Sequence, residues 1–512
     1  MKEKIIFNAI TNIDEKYINE ASVSTLKINT NKWKRWAGLA ACITLLLSIS
    51  VILLHGKRLP LGGSSQSGSG YNENGIFDFY AGPVMPLTLD NEDDEISASR
   101  NLSFDFSMIS EDSIRVWGSQ ISDSYTLTNK SDKEKTITGL YPFVSSFQNI
   151  YVNIPELLVA DEKVKSKLYA GSDYASPIYL KETDNRGNGF EISSFDGYKN
   201  LLEDERYKAN ALMQAALVDQ QVIVYKFTDF EAPEEYDAAT QAISFNINPE
   251  VTRVLQYGFN GSEFGEDGFR RYSYSVPRTN IMSNNDMKVL IVIGEDIKDY
   301  ELKAYKNGAC DKGNELEGVS AKVTRTEENL KDLMRLLVED YFKRYDKHFL
   351  QEYGLEENFV IDNEILNIFE GSFSEFVQKH DLFSLPETDN YSYGFIDDVI
   401  FMTDNYQRVF YLEFEVTIPP NSSVEIIAHS HKSPSHNFRS DSSNSGKIQG
   451  YDMATQLASN LSFDMLTAHI KQVENIEIVD QNFGFNLDEG TTSVELDLEN
   501  EHYYFNVKAL ER

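Results

Sequence analysis

Cysteine is almost absent from this chain, which has two cysteines among its 512 residues. Cys42 lies inside a long apolar run and Cys310 lies far along the polar remainder, so the two thiols cannot pair within one chain. A scaffold held by disulfides is therefore excluded, and the chain must fold around a hydrophobic core. A large exported protein without disulfides also argues against a strongly oxidising secretory compartment.

Basic residues are scarce as well. Lys and Arg number 47 against 81 Asp and Glu, which gives a formal net charge of −34 at pH 7. Because such a charge repels phosphate backbones and anionic lipid surfaces, the composition excludes nucleic acid as a partner. We interpret the acidity as a property that keeps a large body soluble.

Recognisable catalytic motifs are missing. The sequence contains no Gly-x-Ser-x-Gly, and the glycine-rich stretch 258–268 is followed by a tyrosine-rich strand pattern where a phosphate-binding loop requires a helix. No Ser/His/Asp or Cys/His set is placed by a motif. The sequence therefore predicts a protein that is not an enzyme and that needs no cofactor.

Long apolar runs are limited to one, the nineteen residues from Trp36 to Leu54. As a helix this run is about 28 Å long, close to the thickness of the bilayer core, so residues 36–54 are predicted to contact lipid as a transmembrane helix. Basic residues flank the run at Lys27, Lys32, Lys34, Arg35, Lys57 and Arg58. Their excess before the run favours a cytoplasmic N-terminus and an extracytoplasmic C-terminal body.

The segments beside this run have distinct patterns. Apolar residues in 1–35 recur at helical spacing, which predicts a cytoplasmic amphipathic segment. Residues 1–31 would then bind a cytoplasmic protein or lie on the membrane surface. Residues 55–75 contain Gly, Ser and Gln in the order GGSSQSGSGY and form a predicted flexible linker. A cleaved signal peptide is the competing interpretation. The apolar region of such a peptide is shorter, however, and starts nearer the N-terminus than residue 36.

Beyond the linker the pattern predicts a mainly β, overall α+β body. Two β-rich regions, 76–323 and 391–512, flank a helical segment at 324–390, and each resembles a β-sandwich in its alternation. The clearest helix is predicted at Thr324–Gln351, with Thr324 and Glu327 as a capping box. Further helices are predicted at 196–218 and 363–380, and Val399–Thr403 is predicted to be a strand.

Two groups of motifs carry a family resemblance. The stretch Ile10–Ala21, followed by Trp33–Trp36 and the apolar run, resembles the N-terminal anchors of single-pass membrane proteins of Gram-positive bacteria, some of which are anti-sigma factors. This resemblance implies a cytoplasmic N-terminus. Residues 1–41 contain neither His nor Cys, so the zinc-binding type of anti-sigma factor is not implied. The stretches Tyr125–Phe143 and Phe414–Glu425 resemble exported β-sandwich proteins of unknown function, and imply strands that pack apolar faces together.

A histidine cluster is the strongest candidate for chemistry. His429, His431 and His436 fall within eight residues, and the first two share one face of a predicted strand, which suits a metal ion. Exposed histidines at the end of a strand are the alternative interpretation. The acidic run Asp90–Glu95 offers oxygen ligands for Ca²⁺, but it lacks the glycine and the ordered spacing of a calcium loop.

The sequence thus favours a membrane-anchored extracytoplasmic protein with a binding, sensing or structural role. Two alternatives stay open. One is an anti-sigma-like transmembrane regulator with a cytoplasmic partner. The other is a metal-dependent hydrolase that uses His429, His431 and His436.

Overall fold

The computed structural model describes most of the chain after residue 76, in the ranges 77, 79–107, 118–173, 192, 194–213, 219–231, 238–265, 267–277, 287–317, 320–353, 363–386, 394–436 and 448–510. The predicted cytoplasmic segment, transmembrane helix and linker lie outside these ranges. Among the helices inside them, none combines the length and the apolar character needed to cross a membrane.

The body is mainly β, as predicted. In chain order its strands are β1 (Thr88–Leu89), β2 (Ile96–Asp105), β3 (Ser119–Asn129), β4 (Lys135–Ser145), β5 (Glu156–Val159), β6 (Glu162–Lys163), β7 (Lys167–Ala170), β8 (Gln221–Glu231), β9 (Ala238–Asn246), β10 (Thr252–Tyr257), β11 (Gly261–Phe264), β12 (Phe269–Pro277), β13 (Lys288–Gly294), β14 (Tyr300–Tyr305), β15 (Glu315–Leu316), β16 (Ser320–Asn329), β17 (Arg408–Ile418), β18 (Ser422–Lys432), β19 (Ser435–His436), β20 (Ile448–Ala454), β21 (Ser462–Lys471), β22 (Ile476–Gln481), β23 (Ser493–Glu495) and β24 (His502–Ala509). Its helices are α1 (Ile150–Asn153), α2 (Phe195–Leu202), α3 (Glu205–Ala211), α4 (Leu330–Tyr353), α5 (Asn363–Lys379) and α6 (Ile396–Asn405).

A seven-stranded sheet with the order β23-β21-β2-β3-β18-β5-β6 is the centre of the main sandwich. One end of its inner face packs against the sheet β1-β4-β17-β7, and the other end packs against the sheet β19-β20-β24-β22. On β2, for example, Ala98 belongs to the first of these cores and Phe104 to the second. The alternation of apolar and polar residues in the sequence is the cause, because it gives each strand one face to bury.

Strand pairing joins the two predicted β-rich regions, 76–323 and 391–512. Strand β2 pairs in parallel with β21, and β3 and β4 pair antiparallel with β18 and β17. Each region therefore supplies strands to the same sheets, so that the main sandwich needs both.

Two connections at one end of the main sandwich cross from sheet to sheet. Residues 130–134 link β3 to β4, and residues 419–421 link β17 to β18. The two strands of Tyr125–Phe143 therefore face each other across the core and do not pair, and the Tyr125 and Tyr141 rings meet edge to face at 6.5 Å. Because β3 pairs with β18 and β4 with β17, the two connections lie side by side.

Asn129 fastens these connections together. Its side chain is fully buried, and Nδ2 lies 2.7, 3.0 and 3.2 Å from the carbonyl oxygens of Lys133, Ile418 and Pro419. Its Oδ1 accepts hydrogen bonds from the backbone N–H and the hydroxyl of Ser131. One amide thus satisfies buried polar groups of both connections.

Replacing Asn129 with Ala should lower the free energy of unfolding by about 2–3 kcal/mol, because buried carbonyl groups lose their donor. Urea unfolding followed by tryptophan fluorescence or circular dichroism measures this change. The exposed Asn260 provides the matched control, and Asn260→Ala should stay within about 0.5 kcal/mol of the parent. Equal losses in the two variants would contradict the fastening role.

A second sandwich is inserted between β7 and β17. The sheet β10-β13-β8-β16 faces the sheet β11-β12-β9-β14-β15 across an aromatic core. The other face of the four-stranded sheet packs against α4, α5 and α6, whose buried side chains also contact the main sandwich. One continuous core therefore connects the outer sandwich, the helices and the main sandwich.

The start of the clearest helix was predicted wrongly. Helix α4 begins at Leu330, and Thr324 and Glu327 lie on β16, opposite Lys226 and Ile223 of β8. Strand pairing outweighs the local capping signature, because β8 offers a partner along the whole of β16. The first turn of α4 is capped by Asn329, whose Oδ1 accepts a hydrogen bond from the N–H of Lys331 at 3.0 Å.

The predicted strand Val399–Thr403 is also wrong, because these residues lie in α6. Ile396, Val399, Ile400 and Thr403 are buried at helical spacing, and acidic residues occupy the first turn. The helix predicted at 363–380 is confirmed as α5. The helical stretch predicted at 196–218 is divided into α2 and α3, and residues 214–218 lie outside the described ranges.

Candidate functional site

The predicted histidine cluster is divided between two sheets. His429 and His431 lie on β18, on the outer face of the seven-stranded sheet. His436 lies on β19, where its ring packs against Phe79 at 5.0 Å and its backbone pairs with Gln449. The structure therefore brings together the first two histidines but places the third in a different setting.

His431 is fixed by packing. A Cβ atom at Gly118 would lie 2.2 Å from Cε1 of His431, so only glycine fits against this ring. Burial lowers the pKa of His431, with a further contribution from Lys432. The His431 ring is therefore half-buried and held against Gly118, whereas His429 is exposed.

Backbone pairing places a further histidine on this outer face. A single row of side chains crosses the sheet through Ser493, His469, Ser103, Ser122, His429 and Glu156. His469 and His429 stand three strands apart, which is about 14 Å at a spacing of ~4.8 Å per strand. This separation is too large for one metal ion to bind both rings.

Small hydroxyl and amide side chains are frequent at the centre of the same face. They alternate with the buried residues of four neighbouring strands and comprise Ser99, Asn101, Ser122, Ser124, Thr126, Thr128, Ser423 and Thr467, and the same rows also carry Met465, Glu425 and Ile427. Asn101 and Thr126 are exposed, and the hydroxyls of Thr128 and Ser423 lie 2.9 Å apart. We call this set the hydroxyl face. It presents many hydrogen-bonding groups on a broad, extended surface.

A lysine occupies the cation position in the predicted acidic run. Nζ of Lys135 lies 2.6 Å from both carboxylate oxygens of Asp93 and 2.6 Å from Oε2 of Glu95. Two carboxylates of the run, those of Asp93 and Glu95, are therefore already paired with a cation of the chain itself.

A buried ion pair lies where the two cores of the main sandwich meet. The Arg100 guanidinium binds both oxygens of the Asp123 carboxylate, at 2.8 and 2.9 Å, and neither side chain is exposed. The hydroxyls of Tyr125 and Tyr141 donate to the same carboxylate at 2.7 and 3.1 Å. Burial raises the pKa of both tyrosines well above the ordinary value, so the hydroxyls remain protonated.

The same ion pair also binds backbone from neighbouring elements. The Arg100 guanidinium donates to the carbonyl of Ala454 at 2.7 Å and to that of Met85 at 3.3 Å. Although burial opposes it, the Asp123 carboxylate raises the pKa of Arg100 above its ordinary value. Both charges are thus satisfied inside the protein, which is typical of a structural network and leaves neither group available to a substrate.

A second polar cluster holds residues 79–84 against the sheet β19-β20-β24-β22. The Tyr80 hydroxyl donates to the Asp452 carboxylate, which also lies 2.9 Å from Nε2 of His502. The Lys432 ammonium donates to the carbonyl of Ala81 at 2.7 Å. These contacts fasten the first described part of the chain onto its last strands.

Lys432 makes the stability of this cluster depend on pH. Burial lowers its pKa to about 8, although Asp452 acts in the opposite direction. The unfolded chain, with an ordinary lysine pKa near 10.4, binds more protons between these values, so the free energy of unfolding rises with pH. We expect a rise of about 1–2 kcal/mol between pH 8 and 9.5.

The measurement compares the pH dependence of unfolding of the parent with that of Lys432→Met. The difference isolates Lys432, because Cys310 and the buried tyrosines, whose pKa values burial raises, contribute equally to both proteins. The rise should be present in the parent and absent from the variant. Parallel curves would show that Lys432 is protonated equally in the folded and unfolded states.

Within the described ranges, no three His, Cys, Asp or Glu side chains are grouped so that they could hold a metal ion. Comparison with protein-family models, with curated proteins and with solved structures gives no match.

Sequence reasoning missed the hydroxyl face and His469. Single serines and threonines at alternate positions are ordinary strand residues. No local sequence pattern predicts that four strands will place them side by side. The parallel pairing of β2 with β21 joins residues more than 360 positions apart, as in Ser97 with Ser462. The available signal was the repeated Ser/Thr alternation in residues 97–128, which indicates one polar sheet face.

Proposed function

We propose that this chain is a single-pass, membrane-anchored binding protein with a cytoplasmic N-terminus and an extracytoplasmic body. We further propose that the hydroxyl face binds an extended polymer that is itself rich in hydroxyl groups, such as a polysaccharide. The observation that carries this proposal is the alignment of hydroxyl and amide side chains on neighbouring strands of one sheet face.

The geometry of the hydroxyl face suits an extended ligand. Side chains on one strand repeat about every 6.7 Å along it, and neighbouring strands are ~4.8 Å apart, so the hydrogen-bonding groups form a two-dimensional lattice. Each hydroxyl both donates and accepts, which matches the hydroxyls of a sugar chain without requiring a charge. Such a surface gains affinity by repetition, because each hydrogen bond adds only about 0.5–1.5 kcal/mol.

The surrounding charges support binding more than catalysis. The buried Arg100–Asp123 pair is satisfied by protein groups, and burial lowers the pKa of His469, which keeps that ring neutral near pH 7. His429 pairs with Glu156 near the edge of the row, where it can contribute to binding, and His431 follows it on the same face of β18.

Arginine substitutions test the hydroxyl face. Ser124→Arg places a long charged side chain at its centre, and we expect at least a tenfold loss of retention on immobilised neutral polysaccharides. Thr136→Arg is the matched control, because Thr136 is exposed on the outer face of the opposite sheet and pairs its hydroxyl with Thr417 at 2.8 Å. The proposal fails if no polysaccharide retains the parent protein, or if both variants bind equally.

Protease treatment of intact cells tests the topology separately. The body, residues 76–512, should be digested from outside while residues 1–30 remain protected. The reverse pattern would exclude the proposed orientation. The cytoplasmic partner of residues 1–31 rests on the sequence resemblance, and affinity capture with the full chain, compared with a chain lacking these residues, tests it.

A further inference from the structure

Strand β16 lies at the edge of a sheet in the outer sandwich. It ends the sheet β10-β13-β8-β16 and is ten residues long, whereas the edge strands of the other sheets have between two and six. In the part of the chain that the structure describes, β16 pairs only with β8. The opposite edge, β10, is covered near α6, where the N–H of Gln256 donates to the carbonyl of Gly394.

Charges along β16 have mixed signs. Lys322, Thr324, Arg325 and Glu327 are exposed, and Arg325 and Glu327 contact each other at 3.3 Å. An edge protected against pairing carries charges that repel a second copy of itself. Positive residues lie in the first half of β16 and negative residues in the second half, so an antiparallel copy brings opposite charges together.

We propose that two copies of this chain dimerise by antiparallel pairing of β16 with β16, which makes one continuous sheet across the dimer. This proposal is independent of the ligand of the hydroxyl face. A two-fold axis between two antiparallel strands must pass through a residue that faces its own copy, because the two halves of the ladder must be equivalent.

Charge selects the register. An axis at Arg325 would place this guanidinium opposite its own copy, which is unfavourable. An axis at Thr324 would place Arg325 opposite Val323 and would leave the charges without cross-strand partners. An axis at Thr326 places Arg325 opposite Glu327 of the second copy on both sides of the axis.

The Thr326 register also agrees with the shape of the strand. Pairing then runs from Val323 to Asn329, after the irregularity in the ladder between Ser320 and Lys322. A pair of threonines lies at the centre, which is a favourable cross-strand combination. A membrane anchor would favour such a contact, because it confines both copies to one surface.

Cysteine trapping tests the register directly. In a full-length background with Cys42→Ser, Thr326→Cys places two thiols at a Cα distance of about 4.5–5.5 Å, which permits a disulfide. Thr324→Cys is the matched control, since its own copy lies about 13 Å away in this register. We expect a covalent dimer on non-reducing gels for Thr326→Cys and at least tenfold less for Thr324→Cys. A dimer only with Thr324→Cys, or with neither variant, overturns the proposal.

Charge reversal provides the second test. In the Thr326→Cys background, Glu327→Arg should reduce disulfide trapping about tenfold, because two pairs of opposite charges become like charges. The double change Arg325→Glu with Glu327→Arg should restore trapping. Asp296→Asn controls for the contact within one copy, because Asp296 holds Arg325 at 2.8 Å, and it should leave trapping unchanged. Failure of the double change to restore trapping also overturns the proposal.

Discussion

Asp123→Ala should lower the free energy of unfolding by about 3–5 kcal/mol, enough to unfold a large fraction of a protein of ordinary stability. The change leaves the fully buried Arg100 guanidinium without its anion, and it also removes the acceptor of the Tyr125 and Tyr141 hydroxyls. Urea denaturation at pH 7 measures the loss. Of the single changes suggested by this structure, we expect it to have one of the two largest effects.

A double substitution separates the net contribution of the ion pair to stability from the penalty for leaving one buried charge unpaired. Arg100→Met with Asp123→Leu removes both charges and keeps apolar volume in the core, so its loss should be clearly smaller than that of Asp123→Ala. A sodium chloride titration adds a check, because a surface ion pair weakens with salt and a fully buried pair does not. If the double variant is as unstable as the single one, the unpaired charge is not the cause.

Leu337→Asp should have a comparable effect, with a loss of about 3–5 kcal/mol or no recoverable folded protein. Leu337 is fully buried on α4, in the core that joins the helices to both sandwiches, and a carboxylate there would have no partner. Thermal unfolding monitored by circular dichroism measures the change.

The neighbouring leucine supplies the control. Leu336 on the same helix is 48% exposed, so Leu336→Asp changes the same residue type to the same charge on the solvent side. We expect this variant to stay within about 0.5–1 kcal/mol of the parent. Similar losses at both positions would mean that the buried face of α4 has been assigned wrongly.

Much of the fold can be read from the sequence because it depends on alternation. Tyr125 and Leu127 are separated by polar residues, and they indeed lie on the buried face of a strand. The same pattern places His429 and His431 on one face. What alternation does not encode is the partner of each strand, and so it does not reveal that β3 and β4 belong to opposite sheets.

Boundaries between helix and strand were harder to predict for a physical reason. Thr324 and Glu327 have the spacing of a helix start, but the neighbouring β8 satisfies their backbone in a ladder. In α6, Val399 and Ile400 are β-branched residues that favour strands in isolation, and burial against other helices decides their conformation. In both places a tertiary contact outweighs a local preference.

The candidate site depended still more on distant pairing. The hydroxyl face needs β21, β2, β3 and β18 in one sheet, and these strands come from opposite ends of the described chain. Proximity along the chain made three histidines a candidate metal site, with exposed surface histidines as the alternative. The ladder instead aligns His429 with Ser122 and Ser103, which are remote in sequence and carry hydroxyl groups.

The interleaving of early and late strands has a consequence for how this protein is made. Strands β2, β3 and β4 leave the ribosome long before β17, β18 and β21 exist, so one hydrogen-bonding edge of each stays unfilled during most of synthesis. The outer sandwich pairs only strands from residues 221–329 and can form as soon as that stretch is complete. Folding should therefore begin in the middle of the chain, and the main sandwich should form last, after the C-terminal strands have been synthesised.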